Sequence, residues 1–213
     1  ITGILRERYG REDGVELIFN GVERPVKSAA TDYLDSLGLT PGRYVVGLAR
    51  FVPEKRLDLL VRAFAAAPRG NVRLVLAGDA DHPDDYSAAL KQQAARAGAV
   101  LTGFIRGESL NQLMTTAALF VLPSTHEGLP ISLLEAMSYD LDVLVSDIPA
   151  NRLPQLDAAA DFFPVDDEAA LAAALTRKLA APPAGGRRYD LSDYDWDNIA
   201  RRTLDVYRAL APR

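Results

Sequence analysis

Two glutamates eight residues apart, Glu127 and Glu135, bracket the stretch HEGLPISLLEAMS at 126–138. Paired carboxylates are strong acceptors for the vicinal hydroxyls of a sugar or ribose. Between them Gly128, Leu129 and Pro130 lead into a helix. Proline suits the first helical position, where an N–H has no partner to lose, and Gly128 lets backbone approach a ligand closely. The N–H groups of Ile131 and Ser132 are then expected to face outward from the helix start as anion donors. A second chemical stretch is ARFVPEKR at 49–56, in which Arg50 ends a strand and Lys55 opens a helix. A cation in a first helical turn opposes the macrodipole by roughly 0.3–1 kcal/mol, a placement that becomes favourable when an anion joins it. Taken alone, that segment reads more readily as surface cations satisfied by Glu54 and solvent. Set beside the two glutamates, it predicts a ligand with hydroxyls at both ends and a diphosphate in the middle, which is the layout of a nucleotide sugar. The alternative for Glu135 is a helix-surface carboxylate paired with a neighbour. Its flanks, SLLEAM, predict partial burial, where an unpaired carboxylate is unfavourable.

Positioning these groups requires a regular scaffold, and the chain alternates short apolar runs with longer helical ones. Strand candidates are VELIF (15–19), RYVVGLA (43–49), VRLVLAG (72–78), AVLTGF (99–104), ALFVLPS (118–124), DVLVSD (142–147) and DFFPV (161–165). Helices are expected near 27–37, 55–67, 84–98, 107–117, 130–138 and 167–181. Continuous apolar strands separated by helices predict an α/β fold, a Rossmann-like doubly wound parallel sheet of about six strands. In such a sheet the ligand sits beyond the carboxyl ends of the strands, where 50–55 and 127–131 fall. Neither GxGxxG nor GxxxxGK[ST] is present, so any anion must be held by other means.

The chain has 213 residues, 48% of them hydrophobic, enough for one sizeable core. Its net charge of -5 and pI near 5.1 argue against broad nucleic-acid binding. Zero cysteines exclude a disulfide framework and a thiolate metal site. No run approaches 18 apolar residues and no leader is visible, so a cytoplasmic protein without a transmembrane segment is expected. The chain begins at Ile1 and is expected to be a piece of a longer protein. Residues 1–14 read as a helical remnant and linker, 15–181 as a ligand-binding domain, and 182–213 as a PPAGG linker followed by a terminal helix. That helix carries an apolar stripe of Trp196, Ile199, Thr203, Tyr207 and Leu210.

The ordered motifs resemble the C-terminal, donor-binding domain of retaining group 1 (family four) glycosyltransferases of GT-B architecture. NGVERP (20–25), ARFVPEKRLDLLVRAF (49–64), VRLVLAGD (72–79), LTGFI (101–105), FVLPSTHEGLPISLLEAMS (120–138) and YDWDNIARRTLDVYRAL (194–210) carry the likeness over nearly the whole chain. The resemblance implies that Arg50 and Lys55 hold the donor diphosphate, Glu127 contacts the transferred sugar and Glu135 the nucleotide ribose. It further implies sugar and phosphate contacts from Gly128, Leu129, Pro130 and Ile131, and a loop of Gly103, Phe104 and Ile105 near the base. The implied donor is a UDP- or GDP-hexose, with no cofactor and no obligatory metal. The implied partner is an N-terminal acceptor-binding domain, on which the terminal helix packs and through which peripheral membrane contact would come. Departures from the family pattern are Ala49 and Arg56 in place of glycines, Asp140 and Asp142 in place of a glycine and a proline, and Leu153 in place of a glutamate. Aspartate tolerates the left-handed turn expected at Asp140.

Other readings stay open. Asp79, Asp81 and His82 could form a metal or phosphatase-like Asp pair, although a capped, solvated loop suits them better. His126 reads as a polar neighbour of Glu127, and Arg187 and Arg188 as solvated linker charge. The whole could instead be a non-catalytic nucleotide-sugar-binding or regulatory module, or a related epimerase or phosphorylase.

Overall fold

The computed structural model describes residues 2–10, 15–68, 70–180 and 187–210. The PPAGG stretch at 182–186 lies outside the described residues. In chain order the elements begin with α1 (Thr2–Tyr9), α2 (Asp32–Ser36), β1 (Tyr44–Leu48) and α3 (Leu57–Ala66). There follow β2 (Arg73–Ala77), α4 (Asp85–Arg96), β3 (Val100–Gly103), α5 (Gly107–Thr115) and β4 (Leu119–Leu122). The last are α6 (Ile131–Ser138), β5 (Val143–Ser146), β6 (Phe162–Phe163), α7 (Glu168–Ala180) and α8 (Trp196–Leu210).

Six strands form one parallel sheet in the order β3-β2-β1-β4-β5-β6. The apolar runs that predicted it are buried on both faces: β4 and β5 are buried at every position, and β1 at all but Leu48. α3 carries the centre of one face, with Leu57, Leu60 and Phe64 packed on Val45, Leu74 and Leu76 of the sheet. Each such side chain, fully buried, contributes about 1.5–3 kcal/mol. α4 is held at its start by a reciprocal cap, Asp84 accepting from the Ser87 N–H at 2.8 Å while the Ser87 hydroxyl accepts from the Asp84 N–H at 2.9 Å. The chain runs outward from β1 through β2 to β3, then returns to place β4 on the other side of β1. The crevice beyond the carboxyl ends of β1 and β4 is therefore the switch point of the sheet.

The described residues form two compact units, one within 24–189 and a second made of those in 1–23 and 190–213. Within the second unit, 15–19 is not a strand. Its groups are engaged by α8 and the 3-10 turn (Ser192–Tyr194) before it: the Phe19 ring packs on Tyr194 with centroids 5.5 Å apart, and Arg202 of α8 donates to the Leu17 carbonyl at 2.7 Å and pairs with Glu16. α8 has the expected stripe, but of its apolar members Ile199 is buried while Trp196, Tyr207 and Leu210 are exposed. The helix expected at 27–37 shrinks to α2. Before it the chain is extended along α5, where Asn111 and Thr115 accept from the Ser28 N–H and Asn111 donates to the Val26 carbonyl. Side-chain amides there replace the bonds a longer helix would have made. No described helix is long and apolar enough to cross a membrane.

Candidate functional site

At the switch point lies a cavity of about 450 Å³. Its walls include Arg50 and Lys55 from the loop after β1, Glu127, Leu129, Ile131, Ser132 and Glu135 from the loop and helix after β4, and Phe104 and Ile105 after β3. The structure thus gathers eight residues named from the sequence, together with the Ser132 amide. Gly103, Gly128 and Pro130 lie beside the cavity rather than on its wall. Gly103 acts through its carbonyl, which accepts from the Gly78 N–H at 2.9 Å.

The loop after β1 is anchored by Phe51, 1% exposed, whose N–H donates to the Asp79 carbonyl at 2.9 Å. Lys55 then ends a 3-10 turn, and Arg56 adopts a left-handed conformation (φ 49°) before α3 starts at Leu57. Lys55 therefore does not sit in the first turn of a helix, and the macrodipole argument does not apply to it. Nor is it satisfied by Glu54 and solvent. The Thr125 N–H donates to the Glu54 carbonyl at 2.9 Å, drawing the loops after β1 and β4 together, and Lys55 Nζ meets Glu127 Oε1 at 2.7 Å. The pair is largely shielded, with 17% of the lysine and 8% of the glutamate side chain exposed. Arg50 is different: it pairs with Asp81 at 3.1 Å with both side chains more than half exposed, an interaction of at most about 1 kcal/mol.

α6 starts one residue later than the sequence suggested. Pro130 is its N-cap, with ψ 80°, rather than its first residue. The bend turns the Ile131 N–H onto the Leu129 carbonyl at 2.9 Å, so Ile131 is not a free donor. Among the described residues the Ser132 N–H has no backbone acceptor and remains available at the cavity wall. One turn on, Glu135 is half-buried and its carboxylate has no hydrogen bond or ion pair among the described residues. Burial pushes its carboxyl above the ordinary value. Burial also raises the nearby Tyr139 hydroxyl, reinforced by the charges of Glu135 and Glu108.

Sequence reasoning missed Leu48, Gly78 and Leu110 on the cavity wall, and Ser124, whose hydroxyl donates to Glu127 Oε1 at 2.7 Å. Gly78 had a signal: it closes a strand, and its φ of 123° and close approach to the Ala49 carbonyl, 2.1 Å from where a Cβ would stand, admit only glycine. Leu110 looks like any core leucine of a helix. Asp79 and Asp81 do not converge as a pair, since Asp79 engages Lys91 at 2.6 Å and Asp81 engages Arg50. Arg187 is not a solvated linker charge. It pairs at 2.6 Å with Asp161, which is fully buried. The departures are accommodated: Asp140 takes the left-handed turn at φ 58°, Asp142 pairs with Lys178 at 2.6 Å, and Leu153 is buried.

Residues 42–181 match the family model described as glycosyl transferases group 1. The chain belongs to the group 1 glycosyltransferases. Alpha-maltose-1-phosphate synthase of Mycobacterium tuberculosis is 32% identical over 220 residues, covering 91% of this chain and 56% of that protein. The GDP-mannose:cellobiosyl-diphosphopolyprenol alpha-mannosyltransferase of Komagataeibacter xylinus is 30% identical over 196 residues, 86% of this chain and 49% of its own length. The chain thus spans about half the length of these curated relatives. Among solved structures, Anabaena Alr3699/HepE in complex with UDP-glucose superposes with a TM-score of 0.77 at 22% identity, over 92% of this chain and 57% of that one. The shared fold is the Rossmann-like half of a GT-B glycosyltransferase.

Proposed function

We propose that this chain is the donor-binding half of a retaining glycosyltransferase that moves a hexose from a nucleotide-diphosphate sugar to an acceptor, and that it turns over only with an acceptor-binding half. The observation that carries this is the half-buried, unpartnered Glu135 facing a cavity that also presents Lys55, Glu127, Arg50 and a free Ser132 amide. An unpaired carboxylate in that position is unfavourable for folding alone and becomes favourable when it accepts the two hydroxyls of a ribose. Arg50, Lys55 and the Ser132 N–H then bind the diphosphate. As the bond between the sugar and the diphosphate breaks, negative charge grows on the leaving oxygen, and these groups stabilise it without a metal ion. Glu127 contacts the sugar, and Phe104 and Ile105 line the end where the base lies. Relatives described with GDP-mannose and a structural neighbour holding UDP-glucose support a nucleotide sugar as the ligand class.

Calorimetric titration with UDP, GDP and ADP and their glucose or mannose conjugates tests this reading. Saturable binding of one nucleotide, weakened about tenfold or more by Lys55→Ala and by Glu135→Ala, is the expected result, unchanged when EDTA is added. Absence of binding to every nucleotide, or turnover by this chain alone with an acceptor, overturns it.

A further inference from the structure

Three polar side chains lie beneath the cavity, of which only Ser124 touches the site as described. Ser124, Ser146 and Asn151 are each 0% exposed. Ser124 lies just past β4, Ser146 ends β5, and Asn151 closes the 3-10 turn that follows β5. They are joined in line. The Asn151 side-chain amide donates to the Ser146 carbonyl at 2.9 Å and to its hydroxyl at 3.2 Å. The Ser146 hydroxyl in turn donates to the Ser124 carbonyl. The Ser124 hydroxyl then donates to Glu127 Oε1, the same oxygen that Lys55 engages. Glu127 Oε2 takes no hydrogen bond among the described residues. The two supports therefore hold one oxygen of the carboxylate and leave the other for a ligand.

Burying three polar side chains at the carboxyl edge of a sheet is unfavourable unless each is satisfied, and apolar residues of similar size would pack there without that demand. The line is not fully satisfied: Asn151 Oδ1 is buried and lacks a partner. Such an arrangement gives little stability and much orientation, since a carboxylate fixed from two directions cannot rotate freely. Lys55 alone could not fix it, because on the proposed reading the lysine turns to the diphosphate when the donor binds. Ser124 then remains as the support of Glu127.

We propose that Ser124, braced by Ser146 and Asn151, is the positioning residue that aims Glu127 at the sugar of the donor, so that the line governs recognition of the sugar and not of the nucleotide. This rests on the transferase reading above. Titration of the full chain with UDP and UDP-glucose, and with GDP and GDP-mannose, separates the two. For Ser124→Ala the affinity for the sugar conjugate falls about tenfold, the effect of one lost hydrogen bond to a charged group, while the affinity for the bare diphosphate stays within about twofold. Ser124→Thr, which keeps the hydroxyl, restores sugar-nucleotide binding. A merely structural role moves both ligands together. Should Ser124→Ala not fold, Ser146→Ala, one link further down, is expected to show the same split at roughly threefold. Equal losses for both ligands, or no loss for either, overturn the positioning role while leaving the transferase reading standing. Failure of the unsubstituted chain to bind any of the four overturns that reading and the positioning role with it.

Discussion

Two carboxylates withdrawn from water, Asp161 beside β6 and Glu135 in α6, have opposite surroundings. Burial alone would raise the Asp161 carboxyl, yet hydrogen bonds from Arg187, the Asp157 N–H and Lys178 outweigh it and hold the carboxyl below its ordinary value. Lys178 is shared with Asp142, so charge is matched within the cluster. Around Glu135 there is burial and no matching group, and its carboxyl is raised. One end of the sheet completes its electrostatics within the chain, and the other leaves them incomplete where a cavity opens. A fold tolerates an uncompensated charge of this kind at sites where a ligand completes it.

The comparison breaks most readily at Asp161. Asp161→Ala leaves Lys178 and Arg187 without their buried partner and is expected to lower stability by about 3 kcal/mol or more in urea unfolding. A loss under about 1 kcal/mol would mean the cluster is as weak as a surface pair. Glu135→Ala should do the reverse: stability within about 0.5 kcal/mol of the parent, with nucleotide affinity lowered by about 1.5 kcal/mol, roughly tenfold.

Acid sharpens the contrast. Asp161 contributes stability that is present above its ordinary value of 3.8 and is lost as pH falls through its depressed value in the fold. Glu135 takes up its proton above its ordinary 4.5, and with it loses the charge that, on the proposed reading, accepts the ribose hydroxyls. Titrating downward, nucleotide binding should therefore weaken severalfold, about fivefold, at a pH where circular dichroism still reports a folded chain. Simultaneous loss of both signals contradicts the assignment. The smallest effect is expected for Glu135→Gln. Above its raised value the ionised carboxylate destabilises the fold, so removing the charge at neutral pH raises the melting temperature by about 2 °C while binding still falls.

Much of the fold was legible because parallel strands covered on both faces are apolar without interruption. RYVVGLA, VRLVLAG and FVLPS announce themselves, and their alternation with helices leaves few topologies. VELIF has the same local composition and failed as a strand, because Phe19, Leu17 and Glu16 are engaged by Tyr194 and Arg202 of a segment far along the chain. The helix expected from residue 27 failed in the same way, overridden by Asn111. Local pattern carries no information about such distant competitors.

The candidate site divides along the same line. Residue type and spacing drew attention to Glu127 and Glu135 and placed all four groups at strand ends, whereas the segment of Arg50 and Lys55 taken alone read more readily as surface cations, and the family resemblance gave the four their expected roles. Which cation faces which carboxylate was decided only by tertiary structure. The 3-10 turn and left-handed Arg56 carry Lys55 to Glu127 and leave Arg50 to Asp81, and the bend at Pro130 takes up the Ile131 N–H while leaving that of Ser132. Ser124 entered the site because the backbone after β4 turns its hydroxyl onto Glu127, three residues on, and Gly78 because the loops after neighbouring strands close within hydrogen-bonding distance. That distance depends on backbone torsions and strand order, and on residues far apart in the chain, which the order of amino acids along one stretch does not express.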